Sequence, residues 1–334
     1  IKADAYGQGA VRVGEAAIEA GADWLAVALM QEAKELREAG LTAPILVLSQ
    51  PHPNEIKELK NLEGVRPTVY TSEGIEEVAS IAPKIPVHLK IETGMNRVGA
   101  SEKNSVLLAN QITNSGLILE GVFTHFASAD EPESSFPVEQ SVLFDQVIKE
   151  LDDNGYQPTI IHMANSAAAI NFPASHRSMV RPGIAIYGAE PSVDLRDRCD
   201  QIGLKPTAQF ETEVRHIHEI KSGETVSYGR RWTAPHDTLL ATLPVGYGDG
   251  MPRSWWAKGC VIINGQRCPI RGVITMDQLM VEVGAKVAVG DKAILFGEQD
   301  GEVITAGEIA QATETISYEI LASVGKRVPR IYEN

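Results

Sequence analysis

The strongest constraint on this chain is a change of rhythm about two-thirds of the way along it. From Ile1 to about Gly188, short β-prone runs alternate with helical patterns, which is the signature of repeated βα units around a parallel sheet. Eight such runs can be read: Ile1-Lys2-Ala3, Trp24 to Ala28, Ile45 to Ser49, Thr68 to Thr71, Val87 to Thr93, Gly121 to Phe126, Thr159 to Ala164 and Met179 to Tyr187. Eight parallel strands with intervening helices predict a closed (β/α)8 TIM-type barrel. Beyond about residue 203 the helical period fades. Alternating runs take over at Gln209 to Ile220, Thr238 to Val245, Cys260 to Ile263, Leu279 to Val283 and Lys292 to Phe296. Turn signals such as Asn264-Gly265 separate them, and two short helices are expected near Ala306 to Ala312 and Tyr318 to Ser323. The expectation is an α/β chain with a barrel domain over 1–202 and a mainly β domain over 203–334. With 334 residues, 43% of them apolar, the chain exceeds the usual size of one core. An open doubly wound sheet would call for a Gly-x-Gly-x-x-Gly turn with an acidic residue about 20 positions on. The sequence has no such pattern.

Charge and cysteine usage narrow the function. Lys and Arg number 30 against 44 Asp and Glu, and the net charge of −14 opposes binding to nucleic acid or to an anionic membrane. The three cysteines, Cys199, Cys260 and Cys268, are odd in number and lack Cys-x-x-Cys spacing, which argues against a disulfide framework or structural zinc. No metal site is expected, and a reducing cytoplasm fits best. No apolar run reaches the roughly 18 residues of a membrane span, and the start lacks the regions of a signal peptide.

In a (β/α)8 barrel the chemistry sits at the carboxyl ends of the strands, and the polar residues fall there: Lys2, Arg97, His125, His162 with Asn165 and Ser166, and Arg181. Lys2 opens Lys2-Ala3-Asp4-Ala5-Tyr6-Gly7-Gln8-Gly9. A lysine whose pKa is lowered by desolvation or by nearby cations becomes competent for Schiff-base chemistry, and the glycines let the backbone approach an anion. His162-Met163-Ala164-Asn165-Ser166 ends one run and opens a helix, an arrangement that serves either as a plain N-cap or as a phosphate grip. Fifteen residues on, Arg181-Pro182-Gly183-Ile184 offers a second glycine-lined strand end. Arg97 brings a fixed fork of donors to the same mouth, unless it is simply a solvated arginine. His125 reads either as a core histidine or as a support for its neighbours. In the β domain, Tyr228 and Tyr247 each precede glycine and are followed by Met276-Asp277-Gln278. A buried phenol near cations can act as a base, although strand tyrosines more often simply pack.

Taken together, Lys2 to Gly7, Lys90 to Gly99, His162 to Ser166, Arg181 to Tyr187, Val226 to Gly229, Gly246-Tyr247 and Met276-Asp277-Gln278 resemble the successive motifs of bacterial alanine racemases. The resemblance covers nearly the whole chain in order. It implies a fold-type III enzyme dependent on pyridoxal 5′-phosphate, working as a head-to-tail homodimer with shared active sites. It further implies racemisation of L- and D-alanine, supplying D-alanine for peptidoglycan. By position, Lys2 would bond to the cofactor, and Tyr228 of the partner subunit would be the opposing base. Arg181 would face the pyridine nitrogen, with His125 and His162 orienting Arg181 and Tyr228. Tyr6, Asn165, Ser166, Gly183 and Ile184 would hold the cofactor. Arg97 would meet both the cofactor's ring hydroxyl and the substrate, and Tyr247, Met276 and Asp277 would shape the substrate pocket. Lys90 corresponds to a lysine that some members of the family carbamylate.

Two departures stand out. Lys326 occupies the place where many relatives have a tyrosine before Arg-Val-Pro-Arg. The chain also begins at the lysine motif, so it is expected to be incomplete at the N-terminus relative to the family. Racemisation of serine or of a broader range of amino acids is an alternative. So are a PLP decarboxylase, for which Cys260 and Cys268 stand in no suitable motif, and a non-catalytic PLP carrier, which would not need a second domain.

Overall fold

The computed structural model describes residues 1–333. It divides into two compact units, one formed by Ile1–Ala185 with Pro191–Ile202, the other by Ile186–Glu190 with the chain from Gly203 onward.

The first unit is built on a parallel sheet of six strands that follow one another in chain order: β1 (Leu25–Val27), β2 (Ile45–Val47), β3 (Val65–Val69), β4 (Pro86–Lys90), β5 (Ile118–Phe123) and β6 (Ile160–His162). Each pairs in parallel with the next. Ile45, Leu46 and Val47 are all buried, as strands covered on both faces require. The helices between them are held by local chemistry. Ala10–Glu19 follows the glycines of the lysine motif, and Thr71 caps Ser72–Ile81 by accepting the Gly74 N–H at 3.0 Å.

Six of the eight anticipated strands therefore form, and the first and last do not. Ile1-Lys2-Ala3 leads into a left-handed turn in which Ala3, Asp4, Ala5 and Tyr6 all have φ near +54°. Four consecutive non-glycine residues in this region are costly, on the order of 1–2 kcal/mol each. Specific partners hold them there: the Ala10 N–H donates to Asp4 Oδ1 at 2.8 Å, and the Ala3 N–H donates to Glu32 from the first turn of Met30–Glu38. At the other end Met179 makes a single bridge to His162. Pro182 has no N–H for a ladder, and Ile184–Tyr187 curls into a short 3-10 turn.

The second unit is mainly β. Thr238–Leu243 lies between Leu279–Glu282 and His216–Ile220 in an antiparallel sheet. A larger sheet runs Gln266–Pro269, Cys260–Ile263, Lys292–Gln299, Glu302–Ile304, with Phe210–Glu213 also pairing Lys292–Gln299. Asn264 and Gly265, with φ of 53° and 67°, make the tight hairpin turn that their sequence suggests. The helices Ala306–Thr313 and Ser317–Ala322 lie where periodicity placed them. Among the described residues, no helix is long and apolar enough to cross a membrane.

Candidate active site

The strand ends of the first unit gather four cations. Burial first, and then the charge of Arg97, lower the pKa of Lys2, against a raising influence from Glu32. Lys90, at the end of β4 and almost fully buried, is brought down to about 8 by burial, then by Arg97 and Arg181, with Lys2 also contributing. Burial takes Arg181 down to about 9, which still leaves it protonated at neutral pH. Arg97 is exposed at the rim, on a loop shaped by Glu92, whose carboxylate accepts the N–H groups of Gly94 at 2.6 Å and Arg97 at 3.3 Å. Burial alone would raise the pKa of Glu92, but those backbone donors hold it low.

Arg181 is held by four acceptors. It donates to Thr124 O at 2.8 Å, Met163 O at 3.1 Å, His162 Nδ1 at 2.7 Å and His125 Nδ1 at 3.3 Å. Its guanidinium and the Lys90 ammonium both lie over the Phe123 ring. Burial, followed by Arg181, Arg97, Lys90 and Lys2, depresses His125 to about 2, so this imidazole is neutral across the physiological range. His162 is likewise lowered well below its ordinary range, by burial and then Arg181.

Beside these cations is a small cradle. The Gly183 N–H donates to Ser166 Oγ at 2.7 Å, and the Ala185 N–H approaches the same oxygen at 3.4 Å. A methyl group on Gly183 would meet the Tyr6 hydroxyl at 2.7 Å, so the missing side chain lets the phenol reach that strand end. Asn165 caps Ser166–Asn171 by accepting the Ala168 N–H at 3.0 Å, and Ile184 is fully buried behind the cradle. Lys2, Tyr6, Arg97, His125, His162, Asn165, Ser166, Arg181, Gly183 and Ile184 thus all lie on the first unit. Motif reading missed Glu32, Glu92 and Gln140. Gln140 donates to His125 O and Thr93 Oγ1 while accepting the Ala127 N–H. A single Glu or Gln within a helical pattern, as at Glu32 and Gln140, carries no local mark of such a task, and Glu92 lies inside the Lys90 to Gly99 motif with nothing there to mark its role.

The other candidates lie on the second unit. The turn carrying Tyr228 is anchored by Ser227, whose hydroxyl donates to Val273 O at 2.6 Å, and by Gly272, where any side chain would strike Val226 O. Tyr228 is 74% exposed, so it does not simply pack within its own unit as strand tyrosines more often do. The turn holds it outward instead of packing it. Tyr247 and Met276 are exposed too, on turns joined by the Tyr247 N–H to Thr275 O and the Gly248 N–H to Met276 O, at 3.0 and 2.9 Å. Asp277 and Asp249 are both engaged by Arg327, at 2.9 and 2.6 Å, and Lys326 is exposed. No group of three or more His, Cys, Asp or Glu side chains suited to a metal ion occurs among the described residues.

Sequence models of the alanine racemase N-terminal and C-terminal domains match residues 1–191 and 207–332. The chain belongs to the alanine racemase family. Among its relatives, the alanine racemase of Treponema denticola is 44% identical over 346 residues, covering 99% of this chain and 90% of that protein. The alanine racemase of Halothermothrix orenii is 40% identical, covering 100% of this chain and 89% of the other. Among solved structures, the alanine racemase of D-cycloserine-producing Streptomyces lavendulae superposes with a TM-score of 0.94 at 33% identity, covering 100% of this chain and 89% of that one. The Bacillus anthracis alanine racemase, solved with bound L-Ala-P, gives 0.91 at 37% identity over 100% and 87%.

Proposed function

We propose that this alanine racemase family member interconverts L- and D-alanine using pyridoxal 5′-phosphate, as a cytoplasmic homodimer that supplies D-alanine for peptidoglycan. The observation that carries the cofactor assignment is the cradle at Gly183 beside an excess of positive charge. Tyr6, Ser166, Gly183 and Ile184 would hold a phosphate, with Asn165 fixing the turn that presents Ser166. Arg97 would reach the ring hydroxyl and the substrate carboxylate. When bound, the cofactor withdraws electrons from the substrate's α-carbon and so makes its proton labile.

The chain's own residues supply the rest. Lys2, with its pKa lowered, offers a larger share of free amine at neutral pH than an ordinary lysine and can take or return a proton on one face of the α-carbon. Tyr228 of the partner subunit would serve the opposite face, which fits a phenol held outward on the surface of its own chain. Arg181, which keeps its proton at neutral pH, would present an N–H to the ring nitrogen and so disfavour a positive charge there. His125 would orient Arg181 and the partner's phenol, while Tyr247, Met276 and Asp277 of the partner subunit would close the pocket.

Incubation with L-alanine in heavy water tests the reading, followed for α-proton exchange and for D-alanine. Both should occur, and both should vanish with Lys2→Ala. Absence of exchange with either enantiomer would overturn racemisation and leave a cofactor carrier. Exchange with serine but not alanine would move the substrate assignment.

A further inference from the structure

Behind Arg181 a line of buried polar groups runs through the interior of the first unit. Arg181 Nη1 lies 2.7 Å from His162 Nδ1. His162 Nε2 lies 2.9 Å from His88 Nδ1. His88 Nε2 lies 3.4 Å from Glu120 Oε2, a close contact short of hydrogen-bond geometry, and this buried nitrogen has no hydrogen-bond partner among the described residues. The same carboxylate oxygen accepts Arg66 Nε at 2.7 Å. His88 and His162 are fully buried.

The chemistry of the two ends fixes the direction of the whole line. A guanidinium has donors only, so His162 Nδ1 must accept, and a neutral His162 then carries its proton on Nε2. That proton points at His88, so His88 Nδ1 must accept and the His88 proton must also sit on Nε2. The carboxylate that this last proton faces, at 3.4 Å, is Glu120. Arg66 likewise only donates, so the line has a donor at each end and one carboxylate to receive both.

The electrostatics agree with neutral imidazoles. His88 is held low by burial even though Glu120 pulls it up, and His162 is held low by burial, Arg181 and His88. Burial would raise Glu120, but its bonds to His88 and Arg66 keep it ionised. The rings have little room to turn away. His162 stacks on Phe123 at 4.7 Å and 11°, and a side chain on Gly121 would come within 2.5 Å of the His88 ring, so that glycine makes space for it.

We propose that Glu120 is a positioning residue for Arg181, acting through His88 and His162 by fixing which nitrogen of each ring carries the proton. Without the carboxylate, the tautomers that suit Arg181 leave the His88 Nε2 proton buried and facing no acceptor, a cost that opposes the Arg181 bond from the far end of the line; the proton moves to Nδ1, His162 follows, and His162 then presents an N–H to Arg181 where it had presented an acceptor. The guanidinium is displaced from its place. The consequence for catalysis rests on the reading of Arg181 as the group facing the cofactor ring; the tautomers do not.

The test is the 15N spectrum of the imidazole nitrogens in the purified, cofactor-loaded protein at neutral pH. In the wild type His88 and His162 should both be neutral with the proton on Nε2; a proton on Nδ1 of either ring, or a charged ring, overturns the proposal before any variant is made. Glu120→Leu should move both to Nδ1 and lower kcat for alanine at least about tenfold with a smaller change in KM. Glu120→Gln, whose amide oxygen still accepts, should keep the wild-type tautomers and most of kcat. Arg66→Met, which leaves the acceptor in place, should do the same. Unchanged tautomers in Glu120→Leu, or inverted ones in Arg66→Met, refute the role of Glu120. Wild-type tautomers as expected in a protein that racemises nothing would instead count against the functional reading alone.

Discussion

Lys90 is the residue whose replacement gives the clearest quantitative test of the site's electrostatics. It is a buried ammonium facing Arg97, Arg181 and Lys2, and its pKa falls from 10.5 to about 8. Between those values the unfolded chain binds a proton that the folded one does not, so stability rises with pH across the window and the full cost is felt below it. At about 1.4 kcal/mol per pH unit, holding the charged lysine in the fold at pH 7 costs on the order of 3 kcal/mol. Lys90→Met removes that cost. It also gives up the ammonium's position over the Phe123 ring, worth about 1 kcal/mol, so the net gain should be about 2 kcal/mol at pH 7 in buffer free of carbon dioxide. Urea unfolding at pH 7 and pH 9.5 reads this out: the variant leads at the lower pH and the lead shrinks at the higher. A stability loss at pH 7, or an equal difference at both pH values, would refute the reasoning. The same lowered pKa leaves roughly a tenth of Lys90 as free amine at pH 7, the form that combines with carbon dioxide to give a carbamate and a proton. Bicarbonate should therefore stabilise the wild type and not the variant. The adduct, an anion facing Arg97, should appear as a mass increase of one carbon dioxide per chain and as a carbamate carbon in 13C spectra.

Burial depresses the pKa values of His88, His125 and His162, so below pH 6.5 each favours the unfolded state, and stability should fall with pH by up to roughly 1.4 kcal/mol per unit per histidine. His125→Asn should flatten that slope by about one such increment in urea midpoints between pH 6.5 and 4.5; an unchanged slope would show that His125 is not buried as neutral. Gly183→Ala places a methyl group 2.7 Å from the Tyr6 hydroxyl and should weaken pyridoxal 5′-phosphate binding about tenfold by fluorescence titration, with the fold retained. Wild-type affinity would remove the cradle from the cofactor site. Tyr228→Phe should leave stability within about 0.5 kcal/mol, because the side chain is exposed, while slowing α-proton loss from L-alanine more than from D-alanine. Equal slowing in the two directions would refute its assignment to one face.

The parts of the fold that could be read from sequence are those set by local pattern. Ile45-Leu46-Val47 announces a buried parallel strand, and Asn264-Gly265 announces its hairpin turn. The failures lie where distant partners override local preference. Ala3, Asp4 and Ala5 have no intrinsic reason to be left-handed, and what holds them there includes Glu32, far along the chain. Met179 to Tyr187 has β-prone residues, but Pro182 removes the donor a ladder would need. Most proposed site residues could be found because their motifs are compact. His88 and Glu120 could not, although each leaves a trace. His88 alternates with Lys90 on β4, and Glu120 interrupts the apolar run of β5 just before a glycine that has to be small for His88 to fit.

The arrangement of charge leaves the proposed site short of negative charge. Its two nearby carboxylates are largely occupied by the backbone: Glu32 accepts the N–H groups of Ala3, Ala28 and Leu29, and Glu92 those of Gly94 and Arg97. They shape the loops that present Lys2 and Arg97 and leave much of those cations' charge unmatched. The histidines beside Arg181 are neutral and add none of the missing negative charge. Arg97 lowers the proton affinity of Lys2, and Arg97, Arg181 and Lys2 lower that of Lys90, so both lysines would be relieved by an anion. A phosphate at the cradle, a substrate carboxylate near Arg97 and a carbamate on Lys90 would each supply negative charge where the protein withholds it. Ligand binding and folding would then be linked through Lys2 and Lys90. That linkage also suits the proton transfer proposed for Lys2, which burial and Arg97, a group that cannot take the proton, keep closer to losing it.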